Sequence, residues 1–406
     1  MTLDLEWLDD GGITAAAGFQ ASGIHAGLKR NKKDLALVFS DVPGSAAGVF
    51  TTNRVKGAPL LVSIPRVRAG RLQAIVANSG NANTCNGPGG VEDALAMGRR
   101  TAEVLNIPEE MVLVASTGVI GQRLPLTLIG AGIPEAAARL SRAGGSDAAE
   151  AIMTTDTVPK QAALRLALAP GEPPVTIGGM AKGSGMIHPN MATMLAFIST
   201  DAAVAAADLQ KALRLAVDRT FNMISVDGDT STNDMVVVLA NGRSGAPVLL
   251  PGTDRFDRFR EALTALCARL ARAIARDGEG ATRLLEVRVK GARTEHDARL
   301  AARAITASSL VKTAVFGNDA NWGRIICAAG YSGAAFDPER FDIYLGDLPV
   351  ARDGQGLDFD ERRASQLLAR DPVVVTVDFR EGDGTATAWG CDFSYDYVRI
   401  NADYRT

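Results

Sequence analysis

The pattern of apolar positions along the chain predicts strands and helices in alternation. Short apolar or alternating runs, typical of buried strands, occupy residues 35–40, 47–52, 71–77, 111–115, 164–168, 175–177, 194–198, 235–240, 285–289 and 373–379. Apolar residues spaced three or four apart predict helices over residues 91–105, 126–142, 207–221 and 259–274. A turn is predicted at residues 41–45. Because strands and helices interleave in both halves, we expect mixed α/β layers, with a strand order that the pattern leaves open.

Length and composition indicate a globular protein with a large core. The chain has 406 residues, which favours two packed lobes over one core. Hydrophobic residues make up 47% and charged residues 22%, values that exclude a disordered chain.

Charge and cysteine content narrow the environment and the partners. The net charge of −3 and the scattered tryptophans give no basic, aromatic surface for nucleic acid. No apolar run approaches the roughly 20 residues that span a bilayer, and the N-terminus is acidic where a targeting peptide is basic. Four cysteines without close spacing favour a reducing compartment. We therefore expect a cytoplasmic protein that contacts neither membrane nor nucleic acid.

The segment 182–202, KGSGMIHPNMATMLAFISTDA, contains the most distinctive chemistry. Glycines and a proline form a loop that runs into an apolar strand, and Thr193 lies at the junction. A threonine hydroxyl becomes a nucleophile when a base removes its proton, and the threonine's own α-amine serves as that base when the residue begins a chain. Thr193 is internal, so this chemistry requires cleavage after Ala192. A structural threonine at the start of a strand remains the alternative.

Three further features suggest a site for acyl transfer. Residues 116–121 read as an exposed turn before a helix, where successive N–H groups bind an anion or simply make an ordinary turn. Lys182, eleven residues before Thr193, is a candidate anchor for a carboxylate or a solvated loop residue. Glu279 follows a predicted helix at its carboxyl end, where a negative charge is disfavoured, and is a candidate ligand for an ammonium group or a solvated side chain.

Six segments together resemble the ornithine acetyltransferase (glutamate N-acetyltransferase) family of arginine biosynthesis. They are VANSGNAN (76–83), VASTGVIG (114–121), IMTTDTVPK (152–160), KGSGMIHPNMATML (182–195), DGEGAT (277–282) and SSLVKTAVFGNDANWGRI (308–325). Their order matches that of the family, and the resemblance covers essentially the whole chain. It implies an α/β fold of the self-processing N-terminal-nucleophile type, cut into an α chain of residues 1–192 and a β chain of residues 193–406.

The resemblance also implies a reaction. Thr193 takes the acetyl group of N2-acetyl-L-ornithine as an acetyl-threonine ester, and L-glutamate then accepts it to give N-acetyl-L-glutamate. No cofactor is implied, and whether acetyl-CoA is an additional donor stays open. Association of the α and β chains as an α2β2 heterotetramer is implied as well.

Specific residues follow from the matching positions. The resemblance assigns cleavage to Ala192 and Thr193, and oxyanion stabilisation to Thr117 and Gly118. The implied substrate-binding residues are Thr154, Lys182, Thr193, Glu279, Asn401 and Thr406, and the choice between Thr154 and Thr155 stays open.

Two other functions fit the residues. A self-processing amidase or aminopeptidase would use the same nucleophile and pass the acyl group to water. An uncleaved, non-enzymatic protein would bind acetylated amino acids without turnover. Release of acetate in the absence of glutamate favours the first, and an intact chain that binds acetylornithine tightly favours the second.

Several motifs are interpreted as structural. DGDTSTND (227–234) lacks the glycine and the glutamate of a calcium loop, and Ser309 and Lys312 form an SxxK pattern without its KTG partner. The histidines have no zinc spacing, and His188 is left out of the site. Cys267 falls on the apolar stripe of a helix and is predicted to pack in the core.

Overall fold

The structure is a computed structural model that describes residues 5–188 and 194–403. The predicted sites Ala192, Thr193 and Thr406 lie outside the described residues. The strands are β1 (Glu6–Trp7), β2 (Phe19–Ile24), β3 (Leu35–Phe50), β4 (Arg71–Asn81), β5 (Val112–Val119), β6 (Lys160–Leu166), β7 (Val175–Lys182), β8 (Leu195–Thr200), β9 (Ile224–Ser225), β10 (Met235–Ala240), β11 (Leu284–Ala292), β12 (Asp342–Leu345), β13 (Leu348–Arg352), β14 (Gln355–Gly356), β15 (Val373–Asp378) and β16 (Gly384–Cys391).

Helices connect these strands. The α-helices are α1 (Ala58–Arg68), α2 (Gly87–Leu105), α3 (Leu126–Ala138), α4 (Gly145–Ala151), α5 (Ala206–Arg219), α6 (Asp254–Arg276), α7 (Glu295–Ala307), α8 (Ser309–Phe316), α9 (Trp322–Gly330), α10 (Glu361–Leu368) and α11 (Tyr395–Asp403). Short 3₁₀ helices span Glu109–Met111 and Phe221–Met223. The predicted mixed α/β fold is confirmed.

The first sheet has nine strands among the described residues. Its order is β1-β6-β7-β8-β10-β3-β4-β5, and β2 pairs with β3 beside this path. β6 and β7 form an antiparallel hairpin, and β8 lies between β7 and β10. β8 and β10 are parallel, with Leu195 opposite Met235. Residues before Leu195 and before Met235 therefore lie at the same edge of the sheet.

Side chains of β8 and β10 alternate between the two faces of this sheet, as the period of a strand requires. On one face, Ala196 and Ile198 join a core with α5 and α6. On the other face, Leu195 and Phe197 join a core that includes residues of α1 and α4. Cys267 of α6 is fully buried in the first core, which confirms its predicted packing role.

The second sheet has seven strands in the order β14-β13-β12-β15-β11-β16-β9. Its core is separate and is closed by side chains of α7, α8, α9 and α10. Polar side chains cap the N-termini of α7 and α8. The Thr294 hydroxyl accepts the Asp297 N–H at the start of α7, and the Ser308 hydroxyl accepts the Val311 N–H at the start of α8. None of the described helices is both long enough and apolar enough to cross a membrane.

Two local predictions are wrong. The predicted turn at residues 41–45 lies inside the continuous strand β3, whose pairing with β4 shifts register between Phe39 and Gly44. Beyond this irregularity, residues 45–50 of β3 pair with β10. The predicted turn at 116–121 is also mostly strand, because β5 runs to Val119 and α3 begins only at Leu126.

Candidate active site

A pocket forms where the strand edge of the nine-stranded sheet meets the segment after α6 and helix α11. The pocket-lining residues are Ala82, Thr117, Gly118, Ile120, Thr154, Thr155, Lys182, Gly185, Met186, Met194, Leu195, Asp227, Asp229, Ser231, Thr232, Asn233, Asp234, Glu279, Tyr397 and Asn401. Met194 and Leu195 are the residues that follow Thr193 in the sequence. The chain therefore borders the pocket directly after the predicted nucleophile.

Lys182, the last residue of β7, is the buried cation of this pocket. Its Nζ donates to the Thr154 hydroxyl at 2.6 Å and lies 3.5 Å from the Thr117 hydroxyl. Among the described residues, the nearest carboxylate oxygen, on Asp156, is 4.0 Å away. Burial lowers the pKa of Lys182, and the neighbouring Lys160 charge lowers it further against the opposing effect of Asp156. The amine is thus held by hydroxyl groups and keeps capacity to bind a ligand.

Asp156 connects Lys182 to a second, fully paired lysine. It accepts the Lys160 ammonium at 2.6 Å and the backbone N–H groups of Thr154 at 2.9 Å and of Gly183 at 2.7 Å. Burial alone would raise the pKa of Asp156, but the charges of Lys182 and Lys160 hold it well below its usual range. The ionised carboxylate fixes the backbone on both sides of the pocket.

The predicted oxyanion residues Thr117 and Gly118 lie at the end of β5 and line the pocket. Gly118 has φ +131, and a Cβ atom there would lie 2.4 Å from the backbone carbon of Gly80. Only glycine tolerates this conformation and this close approach to the neighbouring strand. The pairing of β4 with β5 also becomes irregular at this point, beside Asn81.

Glu279 lies three residues after the end of α6 and is buried, with 8% of its surface exposed. Its backbone N–H donates to the Ser184 carbonyl at 2.9 Å, and its carboxylate accepts the Asn401 side-chain amide at 2.8 Å. A Cβ atom on Gly185 would lie 2.4 Å from the Glu279 carboxylate, so the glycine is needed for this contact. The solvated alternative for Glu279 is therefore wrong, and Asn401 of α11 is held against it.

The loop between β9 and β10 supplies polar groups that the sequence interpretation missed. The Asp227 carboxylate accepts the backbone N–H groups of Met186 and Ile187 and so fixes the loop before residue 189. Asn233 donates to the carbonyls of Ala82 at 2.6 Å and Ser116 at 2.9 Å. The many polar residues of DGDTSTND, directly before a buried strand, could have indicated a site. The segment was instead compared only with a calcium loop.

The pocket brings together six of the residues predicted from the resemblance, namely Thr117, Gly118, Thr154, Lys182, Glu279 and Asn401. Thr155 lines it as well, while the Thr154 hydroxyl makes the contact to Lys182. His188 is outside the lining and shares a hydrogen bond of 3.1 Å with the Ser225 hydroxyl. Lys312 is buried elsewhere and donates to the Cys391 carbonyl at 2.5 Å.

The fold and this pocket are those of an enzyme that acts on small polar molecules. A profile of the ArgJ family matches residues 20–406. The chain is 60% identical to the arginine biosynthesis bifunctional protein ArgJ of Symbiobacterium thermophilum, over 99% of this chain and 100% of that protein. It is 54% identical to the protein of the same name from Caldanaerobacter subterraneus, over 98% and 99%. The chain belongs to the ArgJ family.

A solved structure agrees with this assignment. The crystal structure of arginine biosynthesis bifunctional protein ArgJ from Bacillus halodurans is 50% identical to the chain, with a TM-score of 0.51. The match covers 52% of this chain and 100% of that chain. About half of the mixed α/β fold described above is thus shared with a relative solved by crystallography.

Proposed function

We propose that the protein transfers the acetyl group of N2-acetyl-L-ornithine to L-glutamate in arginine biosynthesis. Membership of the ArgJ family supports this role, because its relatives bear the name of arginine biosynthesis proteins. The observation that carries the proposal is the convergence of Lys182, Glu279 and the Thr117–Gly118 pair around one pocket that Met194 borders. A carboxylate-binding cation, an ammonium-binding anion and neutral donors suit substrates with an α-carboxylate and a charged tail.

Thr193 attacks the acetyl carbonyl in this mechanism. The hydroxyl forms a C–O bond, the C–N bond to ornithine breaks, and an acetyl-threonine ester remains. Thr117 and Gly118 stabilise the oxyanion, an effect worth about 3–4 kcal/mol for each donor. The glutamate amine then attacks the ester and restores the threonine hydroxyl.

Charged residues divide the recognition of the two substrates. Lys182, whose Nζ donates to the Thr154 hydroxyl and lies 4.0 Å from the Asp156 carboxylate, binds the α-carboxylate that both substrates carry. Glu279 binds the side-chain ammonium of ornithine, and Asn401 orients the Glu279 carboxylate at 2.8 Å. Thr154 completes the site through its bond to Lys182, and Thr406 contributes at the chain end.

Cleavage between Ala192 and Thr193 precedes catalysis, because it frees the α-amine that acts as the base. This cut would divide the chain into residues 1–192 and 193–406. The two parts stay associated, and we include assembly as α2β2, a cytoplasmic location and acetyl-CoA as a second donor in the proposal.

Mass spectrometry of wild type beside Thr193→Ala tests the proposal. Wild type should give fragments of 192 and 214 residues and form N-acetylglutamate, and the variant should give one intact chain without activity. Acetate release that does not depend on glutamate would identify a hydrolase. A full-length wild-type chain that transfers acetyl groups at the normal rate would contradict the mechanism.

A further inference from the structure

Asp234, directly before β10, is a buried acid in the pocket with an open hydrogen-bonding position. Only 3% of its surface is exposed. Its Oδ2 atom has no hydrogen-bond partner, a property shared among the described residues only by Gln161 Oε1 and Arg258 Nε. Of these three residues, Asp234 alone lines the pocket. Buried polar atoms are nearly always paired, so we expect a substrate to supply the hydrogen-bond partner of this atom.

The neighbours of Asp234 place it beside the reacting end of β8. Its carboxyl group lies beside the Met194 backbone and the Ser231 side chain, which also line the pocket. The Met235 N–H, one residue on, donates to the Met194 carbonyl at 3.0 Å. Asp234 is therefore adjacent to Met194 across the β8–β10 ladder, at the strand edge where the pocket opens.

The electrostatic surroundings favour the protonated form. Burial raises the pKa of Asp234 well above its ordinary value, and the charge of Lys182 opposes this rise. The other titratable groups on the pocket wall are Asp227, Asp229, Glu279 and Tyr397. Burial thus favours the protonated form of Asp234, while the Lys182 charge is available to stabilise its anion.

The two half-reactions of the proposed transfer differ by one proton. N-acetylornithine enters with a neutral amide, and ornithine leaves as an α-ammonium ion. The Thr193 hydroxyl supplies one of the two protons required, so one is missing. Glutamate enters as an α-ammonium ion and leaves as a neutral amide, so the second half-reaction returns one proton. The acetyl ester must meanwhile be shielded from water, which would hydrolyse it.

We propose, on the basis of the function above, that Asp234 stores this proton between the two half-reactions. As ornithine departs, the Asp234 O–H transfers its proton to the released amine, leaving a carboxylate and an ammonium ion. When glutamate arrives, its ammonium group returns the proton to the Asp234 carboxylate, and the neutral amine attacks the acetyl ester. Atoms and charge balance in each step, and no solvent proton is required.

Lys182 gives this cycle its reversibility. Its ammonium group stabilises the ionised form of Asp234. In the proposed cycle, Asp234 is ionised while the enzyme carries the acetyl group. The open Oδ2 position then accepts the incoming ammonium group of glutamate. The same acid that donates to the leaving amine thereby becomes the base for the acceptor amine, as in other enzymes in which one group takes both roles.

Proton uptake during a single turnover tests this proposal. Cleaved wild-type enzyme is mixed with N-acetylornithine, without glutamate, in weak buffer with a pH indicator. We expect ornithine release without proton uptake from solvent. Asp234→Asn keeps the size and polarity but holds no proton, so its ornithine release should slow by about 100-fold and draw one solvent proton per acetyl group.

Asp201→Asn is the matched control, because Asp201 is a buried acid outside the pocket that accepts the N–H groups of Ala17 and Thr176. It should release ornithine without proton uptake, like wild type. Uptake of one proton per acetyl group by wild type would overturn proton storage, and this result needs no folded variant. A normal rate of ornithine release in Asp234→Asn would overturn it as well. Absence of ornithine release from wild type would instead contradict the proposed function.

Discussion

Two buried lysines, on adjacent strands of the same sheet, show how differently one residue type is used. Lys160 begins β6, and its Nζ lies 2.6 Å from carboxylate oxygens of both Asp156 and Asp277. Lys182 ends β7 and has two hydroxyl neighbours, with its nearest carboxylate oxygen at 4.0 Å. Both side chains are nearly inaccessible to solvent.

The difference separates a structural role from a chemical one. Lys160 neutralises two buried carboxylates and thereby joins the segment 156–160 to the segment after α6. Lys182 lines the pocket with much of its binding capacity unused. Buried charges without full pairing are costly, and proteins retain them chiefly at functional sites. We therefore expect stability to depend on Lys160 and activity to depend on Lys182.

The largest expected effect is on stability, in Lys160→Met. The substitution leaves Asp156 and Asp277 buried without their cation, which should lower the free energy of unfolding by about 3–5 kcal/mol. Denaturant unfolding measures the loss. Lys211→Met is the control, because Lys211 is exposed and paired only with Asp208, and it should change stability by less than about 1 kcal/mol. Equal losses in the two variants would contradict the structural role.

Lys182→Met should reverse this pattern. Methionine fills a similar volume without a charge to desolvate, so the free energy of unfolding should change by less than about 1.5 kcal/mol. Loss of the substrate anchor should lower kcat/KM for N-acetylornithine by about 100-fold, and the same should hold for glutamate. Steady-state assays with each substrate, beside a denaturation curve, measure both quantities. Normal kcat/KM would remove Lys182 from the site.

A third lysine, Lys29, sharpens the comparison through a smaller, pH-dependent effect. Its Nζ donates to the carbonyl of Met153, the residue before Thr154, at 2.6 Å and to the carbonyl of Lys33 at 2.9 Å. Burial lowers the pKa of Lys29 from 10.5 to about 8. Between these two values the folded protein binds fewer protons than the unfolded one, so the free energy of unfolding should rise with pH.

Unfolding measured at several pH values from 7 to 10 tests this prediction. Wild type should gain stability above pH 8 relative to Lys29→Met, which lacks the group that titrates. Below pH 8 Lys29 is protonated in both the folded and the unfolded state, so the difference between the two proteins should be constant there. A constant difference over the whole range would show that Lys29 titrates normally.

Apolar periodicity predicted most elements, with errors mainly at their ends. The helix predicted at 259–274 lies within α6, which extends from Asp254 to Arg276, and the strand predicted at 235–240 is β10. Periodicity failed at residues 41–45, where polar residues and a glycine imitate a turn. Pairing of this segment between strands distant in sequence keeps it extended, and a local pattern does not contain that information.

The sequence by itself determined the α/β character, the family resemblance and the residue types of the pocket, because these depend on local periodicity and on contiguous motifs. Only the tertiary structure decided that Glu279 is buried against Asn401, that Lys160 lies between two close carboxylates whereas Lys182 contacts hydroxyl groups, and that Asp234 keeps one oxygen open. These properties depend on burial and on contacts between residues distant in sequence, such as Lys160 and Asp277, which are 117 positions apart. Desolvation and pairing arise from that long-range packing, and they turn ordinary lysines and aspartates into chemical groups with distinct roles.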